Sequence, residues 1–502
     1  MNNLYLFVRV RILPALAGFG IAVWFGTSVL DGQPRGDDIA ERRLQTGLSF
    51  ATDGRYTEAL TDFEAIVELY PLNPAADNAL LEIARVHLEA TEELELAENY
   101  ASRIVDDTNY SQEDAAPEAY VILARIMMAR GHTVENLNAA LAQLERGLGL
   151  WPNAATVPQA LFFTGEAHRR AGRLDEALEA FGRVVLEDHE SSIWTARAGL
   201  KAGVLLTVMG DPLSGMAAFQ QVRDQWPTSP EATIALERNS ILYRLYVRSP
   251  DQAFSFAGEM LSTRRMRRVE HLLVDDAGEV FYSTDRRVGL ADPAASPWAP
   301  AGERPRGLAL DRHGAVTVLA RGSLVPRNSG PVPLSVPRRG EDPKQLRELD
   351  AAGVTEAGDW LIMDRDERQI YRYSPDGRYM GIFSSGRAEQ LAVGFNDQVA
   401  IVDRDNRIRL MTEGEASQEI PREGPNYEID DPVAIVFDVF GHLYVADEER
   451  VFIFGQDRRL LRQFPTTDDV AEAPRKITAF ALDAFGGFVI ADDDDERIVR
   501  YR

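Results

Sequence analysis

The chain has 502 residues, room for about two to four domains, with 45% hydrophobic and 26% charged residues; that mix supports large cores and excludes wholesale disorder. Its formal net charge of −25 argues against a duplex nucleic-acid partner and against lying on anionic lipid, because both need clustered Lys and Arg. There is no cysteine, which excludes disulfides, zinc–thiolate sites, iron–sulfur clusters, a cysteine nucleophile and an acyl anchor on an N-terminal Cys.

Arg9 and Arg11 precede an apolar run over residues 12–30, and Asp31, Asp37 and Asp38 follow it. Positive charge before the run and acid after it predict an amino terminus inside the cytoplasmic membrane and the rest outside. The run is long for a signal-peptide core, long enough to span a bilayer, and no A-x-A cleavage site follows. Residues 1–36 therefore read as a signal anchor or a cleaved signal peptide with its linker; a buried core helix is the third reading. On the first two, the protein is periplasmic or otherwise extracytoplasmic, either secreted or anchored to the inner membrane by residues 12–30, its one membrane contact.

Residues 37–262 are rich in Ala, Leu and Glu, and one spacing recurs in them. A small residue is followed four positions later by Phe or Leu and eight after that by Pro, as in Ala59, Phe63, Pro71, then Ala140, Leu144, Pro152, then Gly215, Phe219, Pro227. Ala177 and Phe181 repeat it with His189 in the Pro place. Twelve residues upstream sits another small residue: Gly47 before Ala59, Gly165 before Ala177, Gly203 before Gly215. Two small residues on facing helices let the backbones approach while the aromatic fills the space beside them, and Pro punctuates the second helix.

This pattern resembles the tetratricopeptide repeat, two antiparallel helices in about 34 residues. Repeats begin near residues 40, 78, 117, 158 and 196; the second is degenerate, and the third carries extra residues between its helices. The resemblance implies a concave binding face lined by the first helix of each pair. Carried over by position, Phe162, Glu166 and Arg169 in one repeat and Arg197, Leu200 and Val204 in the next face that groove.

From residue 263 to 502 the composition shifts to Val, Ile, Tyr, Phe, Gly and Asp in short runs. The phrase D-x-x-G recurs at 275–278, 311–314, 438–441 and 483–486; 355–358 is a variant, and Asn396 and Asp397 take the same place once. Each lies between two short apolar runs, where Asp and Gly suit a tight turn between strands. A second acidic turn follows at Asp364, Asp403, Asp447 and Asp492. Six such units predict six radially arranged sheets, a β-propeller. The stretches "VFGHLYVADEERVFIFGQDRRLLRQF" and "GGFVIADDDDERIVRYR" resemble NHL-type repeats. The stretch 321–345 reads as a loop with one edge strand, and ring closure borrows a strand from just before residue 270. The fold class is thus multidomain α + β, a helical solenoid followed by an all-β six-bladed propeller.

No catalytic signature emerges: no P-loop, no G-x-G-x-x-G after a strand, no H-E-x-x-H and no G-x-S-x-G. His271 falls at the start of an innermost strand, whereas His313 and His442 fall in D-x-x-G turns and read as solvent-facing. The acidic run 492–495 reads as a solvated turn rather than a calcium loop. No metal, cofactor or enzymatic activity is expected. The reading is a protein–protein interaction scaffold of the cell envelope, binding through the helical groove and one propeller face; the alternative is a lactonase-like or lyase-like propeller enzyme with a small substrate in its central channel. Equivalent turns of all blades emerge on one face, so the second carboxylates, Asp366, Asp405 and Asp494, are candidate contacts for a protein partner with a basic surface.

Overall fold

The computed structural model describes residues 36–107, 110, 115–131, 133–187, 193–264, 268–292, 294–295, 304–327, 329–338, 341–386, 388–413, 416–465 and 472–502. The apolar run at 12–30 and the reading of residues 1–35 lie outside them. Among the described residues no helix is long and apolar enough to cross a membrane.

Helices alternate in pairs: α1 (Gly36–Thr52) with α2 (Tyr56–Leu69), α3 (Ala75–Val86) with α4 (Leu94–Asp106), α5 (Ala116–Ala129) with α6 (Val134–Leu150), α7 (Val157–Arg170) with α8 (Leu174–Leu186), and α9 (Ile193–Val208) with α10 (Pro212–Gln225). A single helix, α11 (Pro230–Leu242), follows. The chain forms two compact units, one ending at Ala180 and one beginning at Phe181.

The recurrent spacing has the steric cause expected of it. A Cβ on Gly47 would lie 2.5 Å from the Phe63 ring, and one on Gly203 would lie 2.5 Å from the Phe219 ring. Both aromatics are fully buried, so each ring occupies the space a side chain on the facing helix would need. Second helices stop at an aromatic–proline pair. Tyr70, Trp151 and Trp226 donate their N–H groups to Ile66, Gly147 and Val222 carbonyls, and Pro71, Pro152 and Pro227 then bar continuation. Thr133, Asp211 and Ser229 cap α6, α10 and α11 by accepting N–H bonds from Asn136, Ser214 and Ala232. The second pair reads as degenerate because α3 widens into a π-helical stretch, His87–Thr91, closed by left-handed Glu92. A second π-helical stretch, Tyr243–Val247, ends α11.

The remainder forms six small antiparallel sheets whose innermost strands neighbour one another in a closed ring. Counted along the chain, blade 1 contains His271–Val274, Val280–Ser283 and Val288–Leu290, and blade 2 begins at Gly307–Leu310. The innermost strands of blades 3 to 6 are Leu349–Val354, Ala388–Val393, Ala434–Phe437 and Ile477–Leu482. Second strands such as Trp360–Asp364, Val399–Asp403 and Phe488–Asp492 are buried along their whole length. They pack against neighbouring blades on both faces, so they read as continuous apolar runs rather than alternating ones.

Two expectations change. Residues 321–345 are not a loop with one edge strand: Ser323–Pro326 and Val332–Pro333 complete a four-stranded blade 2, and Ser335–Arg338 pairs with Glu341–Gln345 in an added hairpin. Pro326 and Pro333 end strands at the outer side of the blade, where a missing N–H costs no ladder bond. The boundary at 262/263 also moves, because Phe256–Ser262 pairs antiparallel with Arg497–Tyr501 as the outer strand of blade 6. The ring is thus closed by a strand from before residue 270, as the incomplete sixth unit required.

Candidate functional site

The first helices of successive pairs touch one another: α1 with α3, α3 with α5, α5 with α7, and, in the second unit, α9 with α11. Their polar residues pair across these contacts. Arg85 of α3 reaches Glu118 of α5 at 2.6 Å and Glu82 of its own helix at 2.7 Å. Arg125 of α5 meets Glu89 at 2.6 Å and lies over the Phe163 ring of α7 at 5.2 Å. Arg197 of α9 meets Glu231 of α11 at 3.2 Å. Burial holds the Glu82 carboxyl above the ordinary range. These pairs are charge-assisted bonds between repeats, so much of the charge on the first helices is already matched internally.

That arrangement corrects the groove reading for α7. Phe162, Glu166 and Arg169 are buried, not open to a groove, and Glu166 and Arg169 pair with each other at 3.2 Å. The cause is that α7 is covered on nearly all sides, with α5 and α6 among its neighbours. Arg197 is half-buried, paired with Glu231 and stacked over Trp194 at 4.9 Å. Leu200 and Val204 pack against the apolar cluster built around Phe219, Leu245 and Phe440.

On the propeller the two carboxylates of each acidic turn have separate roles. Asp364, Asp403, Asp447 and Asp492 are buried. Asp403 accepts the N–H groups of Asp405 and Arg407, and Asp447 those of Glu449 and Arg450. Asp492 accepts N–H bonds from Arg475 and Lys476, tying the entry of its blade to the end of the second strand. Burial raises the carboxyls of Asp364, Asp447 and Asp492. Asp366, Asp405 and Asp494 instead are exposed, and Asp405 pairs with Arg407 at 2.8 Å. Within the run 492–495, Asp492 and Asp495 are taken up by Arg497.

The opposite turns repeat a single construction. Asp275, Asp311, Asp438 and Asp483 each accept the N–H four residues on, while the fourth-position glycine adopts positive φ. Against this face packs α11 with its π-helical extension. Arg244 donates to the Phe485 carbonyl, and Ile241 lies against Gly486. His442, expected to face solvent, is buried: its Nδ1 is 2.7 Å from Asp438 Oδ2 and its Nε2 is 2.9 Å from the Tyr246 hydroxyl. The physical reason is the helix that covers this turn, which the local sequence does not reveal. His313 is exposed, as expected for a turn residue. His271 is half-buried and bonded through Nδ1 to Ser283 at 2.9 Å. Burial pushes its imidazole down to about 4.

Helix pairs and a closed ring of six blades define a repeat-solenoid protein with a C-terminal propeller. The family model of the tetratricopeptide repeat matches residues 44–114 and 133–193 of the helical segment, which precedes the six-bladed β-propeller. No curated protein matches the chain. Among solved structures it is similar to a virginiamycin B lyase from Staphylococcus aureus (14% identity, 48% of this chain, 82% of that chain, TM-score 0.35). It is also similar to a gluconolactonase from Xanthomonas campestris (16% identity, 48% and 87%, TM-score 0.39) and to a thermophilic TPR protein of Thermus thermophilus (20% identity, 40% and 98%, TM-score 0.32). The activities named for those proteins belong to them.

Proposed function

We propose that this protein is a non-enzymatic interaction scaffold of the cell envelope, lying outside the cytoplasmic membrane and taking a protein partner with a basic surface on one propeller face. One observation carries the reading. The D-x-x-G turns of blades 5 and 6 are occupied by α11 and its extension, whereas the turns at the other strand ends present exposed Asp366, Asp405 and Asp494 beside buried carboxylates that have structural partners. Tetratricopeptide repeats supply a second surface of the kind used for protein recognition. Charge contacts of this exposed type steer association and weaken with salt, over a Debye length of roughly 8–10 Å.

The test replaces Asp366, Asp405 and Asp494 together by Asn and compares capture of partners from detergent-solubilised envelope at low and moderate salt. A basic protein retained by the unmodified chain, reduced by the triple variant and by salt, supports the reading. Unchanged capture with an intact fold removes the propeller rim and leaves the helical repeats. For topology, a reporter active only in the cytoplasm, fused after Arg502, is expected to be silent. Strong activity there overturns the extracytoplasmic placement.

A further inference from the structure

The second compact unit contains a cleft of about 290 Å³ between α10 and the end of α11, lined by Met216, Leu236, Asn239, Tyr243, Arg244 and Arg248. It lies apart from the acidic turns. Leu236 is 39% exposed and Tyr243 48% exposed, so apolar surface is open there, and Met216 extends it. Arg244 is fixed by two backbone acceptors, Phe485 O at 3.3 Å and Ala253 O at 3.2 Å. Arg248 has no acidic partner among the described residues. Asp483, the carboxylate that favours the charged form of Arg244, already pairs with Arg502 at 3.3 Å and with Arg500 at 3.9 Å. Burial and then the neighbouring Arg248 guanidinium lower the pKa of Arg244, the direction expected of cations without an anion between them.

Two guanidinium groups without a matching anion and three apolar side chains thus converge on one cleft in a chain of net charge −25. We propose that this cleft binds a carboxylate ligand that carries one apolar side chain, the chemistry of an N-acylated amino acid or of the last residue of a polypeptide. The carboxylate lies against Arg248 and Arg244, and the apolar group covers Leu236, Met216 and the Tyr243 ring. Mixed lining of this kind, apolar walls with a few convergent polar groups, is what small-ligand sites present. The proposal does not depend on the scaffold reading.

The experiment is a calorimetric titration of the full chain with N-acetyl-L-leucine, with N-acetyl-L-leucinamide, which lacks the carboxylate, and with a short peptide ending in leucine. Arg248→Gln and Leu236→Glu variants, checked for native circular dichroism, are titrated alongside. Saturable binding of N-acetyl-L-leucine in the millimolar range is expected for so open a cleft. Loss of the carboxylate or of the Arg248 charge is expected to weaken it by about tenfold or more, as removal of a charge-assisted bond does. Leu236→Glu is expected to weaken it through repulsion. A peptide that binds about tenfold tighter than N-acetyl-L-leucine identifies a polypeptide C-terminus as the source; equal affinity identifies a free small acid. No saturable binding to the unmodified chain, or equal binding of the amide, or equal binding by Arg248→Gln, overturns the proposal.

Discussion

The Tyr246 hydroxyl lies 2.9 Å from Nε2 of His442, joining the π-helical end of α11 to the D-x-x-G turn of blade 5. Asp438 fixes the polarity of the pair. Its carboxylate accepts from Nδ1 at 2.7 Å, so in the neutral imidazole Nε2 is the acceptor and the tyrosine donates. Burial, with Asp438 adding to it, pushes the Tyr246 hydroxyl up to about 12, which keeps it a donor at neutral pH. Around this bond Ile241, Leu242 and Leu245 bury themselves with Phe254, Phe440 and Phe488, and Phe254 stacks on Phe488 at 3.9 Å. A solenoid needs a cap on its terminal helix. Here the propeller face is that cap, in the place a second helix of the sixth repeat would fill.

Tyr246→Phe therefore removes one hydroxyl and leaves a buried ring nitrogen without a donor, at a cost of about 1–3 kcal/mol. His442→Ala is expected to cost more, because it also strips a bond from buried Asp438 and opens a cavity. Urea midpoints followed by near-ultraviolet circular dichroism read both. A Tyr246→Phe midpoint equal to that of the unmodified chain would show that the bond contributes nothing.

The helical spacing makes a paired prediction. Gly203→Ala drives a Cβ to 2.5 Å from the Phe219 ring, and both are buried, so a loss of about 1–3 kcal/mol is expected. Gly182, inside α8, has nothing within 4 Å of its Cβ position. Gly182→Ala is expected to stabilise by about 0.5–1 kcal/mol through helix propensity alone. Thermal melts of the two variants should move in opposite directions.

What the sequence made legible was what neighbours in the chain decide. The Gly47–Phe63 and Gly203–Phe219 packing follows from spacing within one helix pair, and the Asp483–Gly486 turn from four consecutive residues. The rest depends on distant partners. Tyr246 and His442 are 196 residues apart, so nothing near His442 marks it as buried. Phe256–Ser262 finds its ladder at the far end of the chain, which is why a boundary drawn from composition cut it from its blade. Phe162, Glu166 and Arg169 occupy groove positions by repeat spacing, yet how tightly neighbouring first helices approach is a property of the stack and not of any one repeat.

Burial pushes the His271 imidazole down to about 4 from an ordinary value near 6.5. Between those values the folded chain binds fewer protons than the unfolded one, so stability rises with pH across the window and is lost as pH falls through it. Asp350, Asp364, Asp447 and Asp492 are raised by burial and act in the opposite sense at the acid end. The difference between the unmodified chain and His271→Asn isolates the imidazole. That difference is expected to shift against the unmodified chain by about 2 kcal/mol between pH 7 and about pH 4.5. A difference independent of pH would mean that His271 titrates alike in both states.

The acidic turns hold the last prediction, since Asp492 and Asp494 lie two residues apart and differ in everything but charge. Asp492 is 1% exposed and accepts N–H bonds from Arg475 and Lys476 while meeting Arg497 at 3.5 Å. Asp492→Ala leaves those part-buried donors and Arg497 without their carboxylate, and a loss of about 1–3 kcal/mol is expected. Asp492→Asn keeps one acceptor oxygen and removes a charge that burial already disfavours, so its loss is expected to be smaller. Asp494 is exposed, and Asp494→Ala is expected to stay within about 0.5 kcal/mol of the unmodified chain. Chemical denaturation of the three variants gives the order directly. A destabilising Asp494→Ala would assign the second carboxylate to the fold and remove the reason for reading it as a contact; a neutral Asp492→Ala would mean that the first carboxylate does not clamp its blade.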